Sequence, residues 1–162
     1  MLKLTKKADY GLIALKHLAT LHPANSASAK EIAELYHVPL PLLAKILQKL
    51  AKQSFLRSEH GTNGGYRLAR PAKQITALEV IRAIDGPIIL TSCFTDHGVC
   101  GQSSHCNVRE PLRKIHEGIL GLLASISIAD MSDTETENPD GRLYALPAMA
   151  AAMNAPRTSR TT

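Results

Sequence analysis

Three cysteines carry the clearest chemical signal in this sequence. Six and then five residues separate Cys93, Cys100 and Cys106. Three thiolates on one short segment can converge on a single inorganic centre, and soft thiolates favour zinc, copper(I) or iron–sulfur clusters. Structural zinc usually takes cysteines in pairs separated by about two to four residues, and these cysteines form no such pair. The wider spacing therefore favours a bulkier iron–sulfur cluster.

The cysteine pattern alone leaves alternatives open. The three thiols could be unrelated to one another, or two of them could form a disulfide with a redox role. The fourth ligand of a metal centre is also not evident. His97 and His105 lie in the same segment, but a histidine in a loop is more often a solvated side chain than a ligand.

The elements around the cysteines predict a mainly α-helical protein with one small β-hairpin. Apolar residues at helical spacing and two capping boxes, Ser28 with Glu31 and Thr76 with Glu79, mark the helices. The predicted helices span residues 6–21, 29–36, 41–53, 77–84 and 109–125. Two strand-like runs, 55–58 and 66–68, flank a Gly-rich loop and predict the hairpin.

This order of elements is typical of a winged helix–turn–helix. In that fold the third helix enters the major groove of DNA, and the hairpin reaches the adjacent backbone or minor groove. The candidate DNA contacts are Leu42, Ala44, Lys45, Gln48 and Lys49 on the third helix, and Arg57, His60, Asn63 and Arg67 in the hairpin. Lys45 and Gln48 would donate to base edges, and the two apolar residues could touch a thymine methyl. Lys49 and Lys52 are better placed for phosphates, which position a protein without reading sequence.

The charge distribution agrees with a nucleic-acid partner. The chain has 162 residues and a net charge of +5, but residues 1–90 hold 13 Lys and Arg against 6 Asp and Glu, whereas residues 91–162 hold 6 against 8. A basic first half favours a polyanion such as double-stranded DNA. No apolar run is long enough to span a bilayer, and three cysteines are too few for a disulfide-stapled scaffold. We therefore expect a protein without a membrane partner, in a reducing cytoplasm.

Three parts of the sequence resemble the Rrf2 family of winged-helix transcription regulators, which includes IscR and NsrR. They are residues 4–6 (LTK) with 8–12 (ADYGL), the hairpin residues 64–70 (GGYRLAR), and the three-cysteine loop. Within the family, the resemblance is closest to regulators of the SUF iron–sulfur assembly system, on the evidence of IDGPI at 84–88 and IADM at 128–131.

The resemblance implies a homodimer and an iron–sulfur cluster. The long helix of each subunit would pack across the two-fold axis, and Cys93, Cys100 and Cys106 would hold the cluster. In IscR-like members a His follows the last Cys by three residues, but Arg109 stands there in this chain and cannot be a ligand. In NsrR-like members an Asp from the partner's first helix completes the site, and Asp9 matches it. The nuclearity, 2Fe–2S or 4Fe–4S, stays open.

The resemblance also divides the chain into four segments. They are a winged helix–turn–helix domain (1–90), a cluster-binding cysteine loop (91–107), a dimerisation helix (108–131) and a tail (132–162). The tail is rich in Asp, Glu, Thr, Pro and Ala and has no strong apolar period. Such a composition predicts disorder.

The function we predict is a cluster-dependent, DNA-binding repressor of SUF iron–sulfur assembly genes. One alternative in the same family is a repressor that senses nitric oxide or redox state. Another, of a different class, is a small iron–sulfur or thiol redox protein, although a dedicated electron carrier has no use for a basic winged helix. An enzyme is not expected, because the sequence contains no phosphate-binding loop, nucleophile elbow or convincing acid/base pair.

Overall fold

A computed structural model describes residues 3–61, 64–94 and 100–132 of the protein. Its helices are α1 (Lys6–Thr20), α2 (Ala29–Leu35), α3 (Leu40–Lys52), α4 (Ala77–Asp85), α5 (Arg109–Ser125) and α6 (Ile128–Ser132). Two strands, β1 (Leu56–Glu59) and β2 (Gly65–Leu68), form an antiparallel hairpin. Single turns of 3-10 helix span Ala72–Gln74 and Ser92–Phe94. The predicted fold class, mainly helical with one hairpin, is confirmed.

Side-chain caps mark the start of α1, α2 and α4. The Thr5 hydroxyl accepts a hydrogen bond from the Ala8 amide at the start of α1. Both predicted capping boxes are present: Ser28 with Glu31 opens α2, and Thr76 with Glu79 opens α4. Each box satisfies backbone N–H groups that have no partner within the helix. The predicted helix ends differ from the observed ones by about one residue, which is the usual uncertainty at a helix terminus.

The hairpin is tied to the chain segment that precedes α2. Ala27 and Tyr66 exchange two backbone hydrogen bonds, of 3.1 and 2.8 Å, which form an isolated antiparallel β-bridge beside β2. The two backbones approach so closely that a Cβ on Gly65 would lie 2.5 Å from the Ala27 carbonyl oxygen. Only glycine fits there without moving the backbone, which explains the second glycine of the Gly64–Gly65 pair.

The hydrophobic core lies between α1, α2, α3, α4 and the base of the hairpin. The largest fully buried side chains are Leu15, Ile32, Leu43, Leu47, Leu50, Ile75, Val80 and Ile128. Four of them, Leu15, Leu43, Leu47 and Leu50, belong to the apolar stripes that predict α1 and α3. The core holds α3 by one face and leaves its opposite face in solvent.

The last core residue comes from α6, which the sequence did not predict as a separate helix: the segment 108–131, predicted as one dimerisation helix, contains α5 and most of α6. Ile128 is fully buried, and its amide donates to the Ile75 carbonyl at 2.8 Å. Ser127 and Asp130 form a small cap at the start of α6. The hydrogen bond from the Ser127 hydroxyl, together with that from its backbone amide, lowers the pKa of Asp130. Five residues are too few for helical periodicity to be visible.

The long helix α5 has a different environment. It spans Arg109–Ser125, as predicted, but none of its residues is buried within this chain. Its apolar positions are half-buried or exposed, and Ile115 keeps 52% of its surface accessible. An exposed pairing network in its first turns joins Arg113 to Glu110 and Glu117. Over the described residues, no helix combines the length and the apolar character that crossing a membrane requires.

Candidate nucleic-acid interface and cysteine segment

The helix–turn–helix consists of α2, a tight turn and α3. His37 in this turn has a φ of +52°, in the left-handed region, and Pro39 and Pro41 flank the start of α3. Pro41 lies in the first turn, as predicted, where its missing N–H is not needed. The turn therefore directs α3 away from α2, as the second helix of a helix–turn–helix requires.

The exposed face of α3 carries several of the predicted DNA contacts. Lys45 and Gln48 are exposed, and Ala44 is half-buried. Leu42 is also half-buried, because it packs against the hydrophobic core. The exposed polar side chains can reach a groove or a phosphate, whereas part of the Leu42 surface is already in contact with the protein.

Lys49 is also exposed, but its ammonium has a partner within the protein. Nζ donates a hydrogen bond of 2.8 Å to the backbone carbonyl of Ile84, near the end of α4. Nothing in the sequence pattern predicts this contact, since the two residues are 35 positions apart. Their proximity depends on how α3 packs against α4.

The hairpin places its basic residues on one side. Arg57 and Arg67 are cross-strand partners, so they point to the same face, and Arg67 also pairs with Glu59. This ion pair offsets the repulsion expected between two like charges that lie opposite each other. His60 is exposed at the end of β1, and Asn63 lies outside the described residues.

An open groove of about 1110 Å³ separates the hairpin from α1 and the start of α2. Its wall includes His60 and Arg67 on the hairpin side and His17 and Glu31 on the helical side. Partial burial lowers the pKa of His17, and the nearby Glu31 carboxylate opposes this effect. The His17 Nδ1 atom lies 3.2 Å from the Tyr36 hydroxyl.

The base of the hairpin is fastened to α4 through Arg70. Its guanidinium lies 5.0 Å from the centre of the Phe55 ring and donates to Glu79 at 2.9 Å. Partial burial raises the pKa of Glu79, but hydrogen bonds from Thr76 and Arg70 outweigh burial, and the pKa is lowered overall. The orientation of the hairpin is therefore coupled to the start of α4.

All three cysteines are half-buried free thiols. The Cys93 Sγ atom lies 3.0 Å from the Thr91 hydroxyl, and the neighbouring Phe94 stacks on His116 of α5 with ring centres 5.4 Å apart. Residues 95–99, including His97, lie outside the described residues. His105 Nδ1 has its partner in the Ser104 hydroxyl, at 2.9 Å.

A metal centre in this segment would require the three thiols to come together. Within the described ranges, no three His, Cys, Asp or Glu side chains come together as a metal-binding group. The donor chemistry of three free, half-buried thiols on one segment nevertheless fits an iron–sulfur cluster. Asp9 is exposed in the first turn of α1, where a carboxylate also complements the positive end of the helix dipole.

A family model described as Rrf2, iron-dependent transcriptional regulator, matches residues 4–134. The chain belongs to the Rrf2 family. Rrf2 proteins are transcription regulators rather than enzymes; they bind DNA and typically act as dimers. The resemblance seen in the sequence is thereby confirmed at the level of the family.

Solved structures of Rrf2 proteins share the fold. CymR, the global cysteine regulator of Bacillus subtilis, is 28% identical with a TM-score of 0.70, and the match covers 82% of this chain and 98% of CymR. IscR of T. potens is 26% identical with a TM-score of 0.66, over 88% of this chain and 94% of IscR. The oxidized form of Staphylococcus aureus CymR, at 24% identity and a TM-score of 0.65, covers 82% of this chain and 97% of its own and shows the fold alone.

Proposed function

We propose that this Rrf2 protein is a homodimeric, iron–sulfur-cluster-dependent repressor of SUF iron–sulfur assembly genes. The observation that carries the proposal is the set of three free, half-buried thiols on the one segment that joins the DNA-binding body to α5. The iron dependence in the description of the family supports it, as does the sequence resemblance to SUF regulators.

In this proposal Cys93, Cys100 and Cys106 hold the cluster, and Asp9 of the partner subunit supplies the fourth ligand. When bound, the cluster supplies a centre whose presence depends on iron–sulfur supply and on oxidants. Carboxylate is a harder ligand than thiolate, so a site with Asp9 would be more labile than one with four cysteines. A labile site suits a sensor.

The apolar face of α5 supplies the dimer contact. Ile115 is 52% exposed and the leucines of α5 are only half-buried among the described residues, and burying them against a second copy would remove apolar surface from water. Dimerisation would place two α3 helices to meet DNA half-sites one helical turn, or a multiple of it, apart. A change in the cysteine segment beside α5 would alter the separation of those helices.

On each half-site, Lys45 and Gln48 read base edges, while Arg57, His60, Asn63 and Arg67 hold the adjacent backbone or minor groove. Leu42 and Ala44 add apolar contact to a thymine methyl. Lys49 was predicted to contact a phosphate, and its bond to Ile84 gives it a second role that is considered below.

The decisive experiment is anaerobic purification, followed by an absorption spectrum and counts of iron and sulfide. We expect a brown protein, and the iron count separates two-iron from four-iron centres. Cys100→Ala should abolish both the chromophore and cluster-dependent binding to a promoter fragment of SUF assembly genes. Ser103→Ala, in the same segment, is the matched control and should retain both.

A colourless wild-type protein would refute the cluster proposal, as would a Cys100→Ala variant that keeps its colour and its cluster-dependent DNA binding. Binding to the SUF fragment no tighter than to an unrelated promoter would refute the proposed target but not the cluster. Asp9→Ala tests the fourth ligand separately, because it should leave the fold intact and make the cluster easier to lose.

A second candidate is a thiol-based regulator without a cluster. The free state of all three thiols favours it. Unchanged DNA binding after anaerobic reconstitution, together with a response to oxidation of the cysteines, would support this candidate instead.

A further inference from the structure

The C-terminal end of α4 is held from three directions. The Ile84 side chain packs against α1 in the hydrophobic core: a Cβ on Gly11 would lie 2.2 Å from Ile84 Cδ1, and Ile46 Cγ2 of α3 would lie 3.5 Å from the same Cβ. The Thr5 hydroxyl, which caps α1, lies 2.7 and 2.8 Å from the two carboxylate oxygens of Asp85. The third contact is the Lys49 ammonium on the Ile84 carbonyl.

This end of α4 is also where the chain leaves the DNA-binding body. Gly86 ends the helix with a φ of +90°, and the cysteine segment begins a few residues later. The same short stretch therefore touches the recognition helix through Lys49, the start of α1 through Thr5, and the first cysteines through the chain itself.

The contact with Lys49 also has an electrostatic reason. The last carbonyls of a helix lack partners within it and form the negative end of its dipole, which makes an acidic residue such as Asp85 unfavourable there. A cation at that end offsets both effects. The Lys49 ammonium supplies it from α3, at 2.8 Å from the Ile84 oxygen.

We propose that Lys49 is a positioning residue: it ties the recognition helix to the end of α4, so that the cysteine segment and the DNA-reading surface move as one unit. This role differs from the phosphate contact expected from sequence. The contact between Lys49 and the end of α4 depends only on described residues. The coupling of the recognition helix to the cysteines through this contact rests on the proposed function.

The test compares two DNA samples. One is a duplex that the wild-type protein has selected from a random-sequence pool, and the other is the unselected pool itself. Affinity for each is measured against salt for wild type, Lys49→Met and Lys73→Met. Lys73 lies in the 3-10 turn before α4, outside α3 and the hairpin, so its variant measures the effect of losing one positive charge. Circular dichroism at the working temperature confirms that each variant is folded.

We expect Lys49→Met to lose about tenfold or more in affinity for the selected duplex, because a charged hydrogen bond that orients α3 is gone. Its affinity for the random pool and the slope of log affinity against log salt should change no more than in Lys73→Met. Lys49→Arg can donate to the same carbonyl and should restore the preference for the selected duplex.

Two results would overturn the proposal. One is a slope of log affinity against log salt that falls by about 0.9 per chain more than in Lys73→Met, together with equal losses of affinity for the selected duplex and the random pool. That combination is the signature of a lost phosphate contact. The other is an unchanged preference for the selected duplex. A purely structural role would lower stability without changing that preference in the folded protein.

The coupling is tested on the same variants with and without reconstituted iron and sulfide. If wild type shows a cluster-dependent affinity, Lys49→Met should lose most of that dependence, and its retention in full would refute the coupling. If wild type binds no cluster, the proposed function fails, but the comparison of the two duplexes still decides the role of Lys49.

Discussion

Residues 3–90 and residues 100–132 both carry apolar side chains at helical spacing, but the two regions bury them differently. Among the described residues, every buried hydrophobic side chain except Ile128 lies in the first region. α5 buries none, although it is the longest helix of the described chain. The first region therefore supplies almost all of the core, to which α6 adds Ile128, whereas the described residues leave the apolar face of α5 only partly covered.

The difference agrees with the proposed function, in which the first region reads DNA and α5 holds the dimer together. A recognition surface must be rigid to place side chains against base edges, and close packing provides that rigidity. A dimerisation helix must keep apolar surface available until its partner arrives. Substitutions in each region test this contrast.

The largest effect is expected in the core. Leu47→Ala removes a fully buried side chain and should lower the free energy of unfolding by about 2–5 kcal/mol. Urea denaturation monitored by circular dichroism measures this loss. The difference in unfolding free energy between the variant and wild type should be the same at every protein concentration. A loss below 1 kcal/mol would mean, by the same scale, that this core is far looser than its packing indicates.

Glycine-to-alanine changes in the two regions should have opposite signs. At Gly11 a Cβ would meet Ile84 Cδ1 at 2.2 Å, so Gly11→Ala should destabilise the protein by about 1–3 kcal/mol through overpacking. At Gly118 of α5 a Cβ would meet no atom of the described residues within 4 Å, and Gly118→Ala should stabilise by about 0.5–1 kcal/mol through helix propensity. Thermal unfolding of both variants provides the measurement. A destabilising Gly118→Ala would instead place Gly118 against the partner.

The exposed face of α5 is tested by charge. Ile115→Asp should raise the dissociation constant of the dimer by about tenfold or more, because a carboxylate would have to be buried at the interface. Analytical ultracentrifugation over a range of concentrations measures this constant. Lys114→Gln, at the adjacent exposed position, lowers the net charge by the same single unit and is the control. Equal dissociation in the two variants would remove Ile115 from the interface.

The smallest effect concerns pH and the packed region. Burial holds the pKa of His17 below its ordinary value, so the native state favours the neutral ring. Below about pH 6.5 the unfolded chain binds the proton more readily than the native state, and stability falls as the pH falls. His17→Gln should therefore show a smaller decrease in melting temperature between pH 7.5 and 5.5 than wild type. An identical decrease in both proteins would contradict this assignment.

Several elements could be predicted because their signals are local. The capping boxes at Ser28 and Thr76, Pro41 in the first turn of α3 and the glycine pair of the hairpin each act within a few residues. The short helix α6 was missed because it depends on the burial of Ile128 against distant helices. The Lys49–Ile84 and Thr5–Asp85 contacts were missed for the same reason.

The amino-acid sequence was enough to predict the winged helix–turn–helix, the long helix α5 and the family, because periodicity, caps and motifs involve residues that are close together in the chain. It also placed three cysteines on one segment. The Lys49 contact with the end of α4, and the partial exposure of α5 among the described residues, became visible only in the tertiary structure. The physical reason is that such contacts join residues tens of positions apart, and they exist only after the core has fixed how the helices pack.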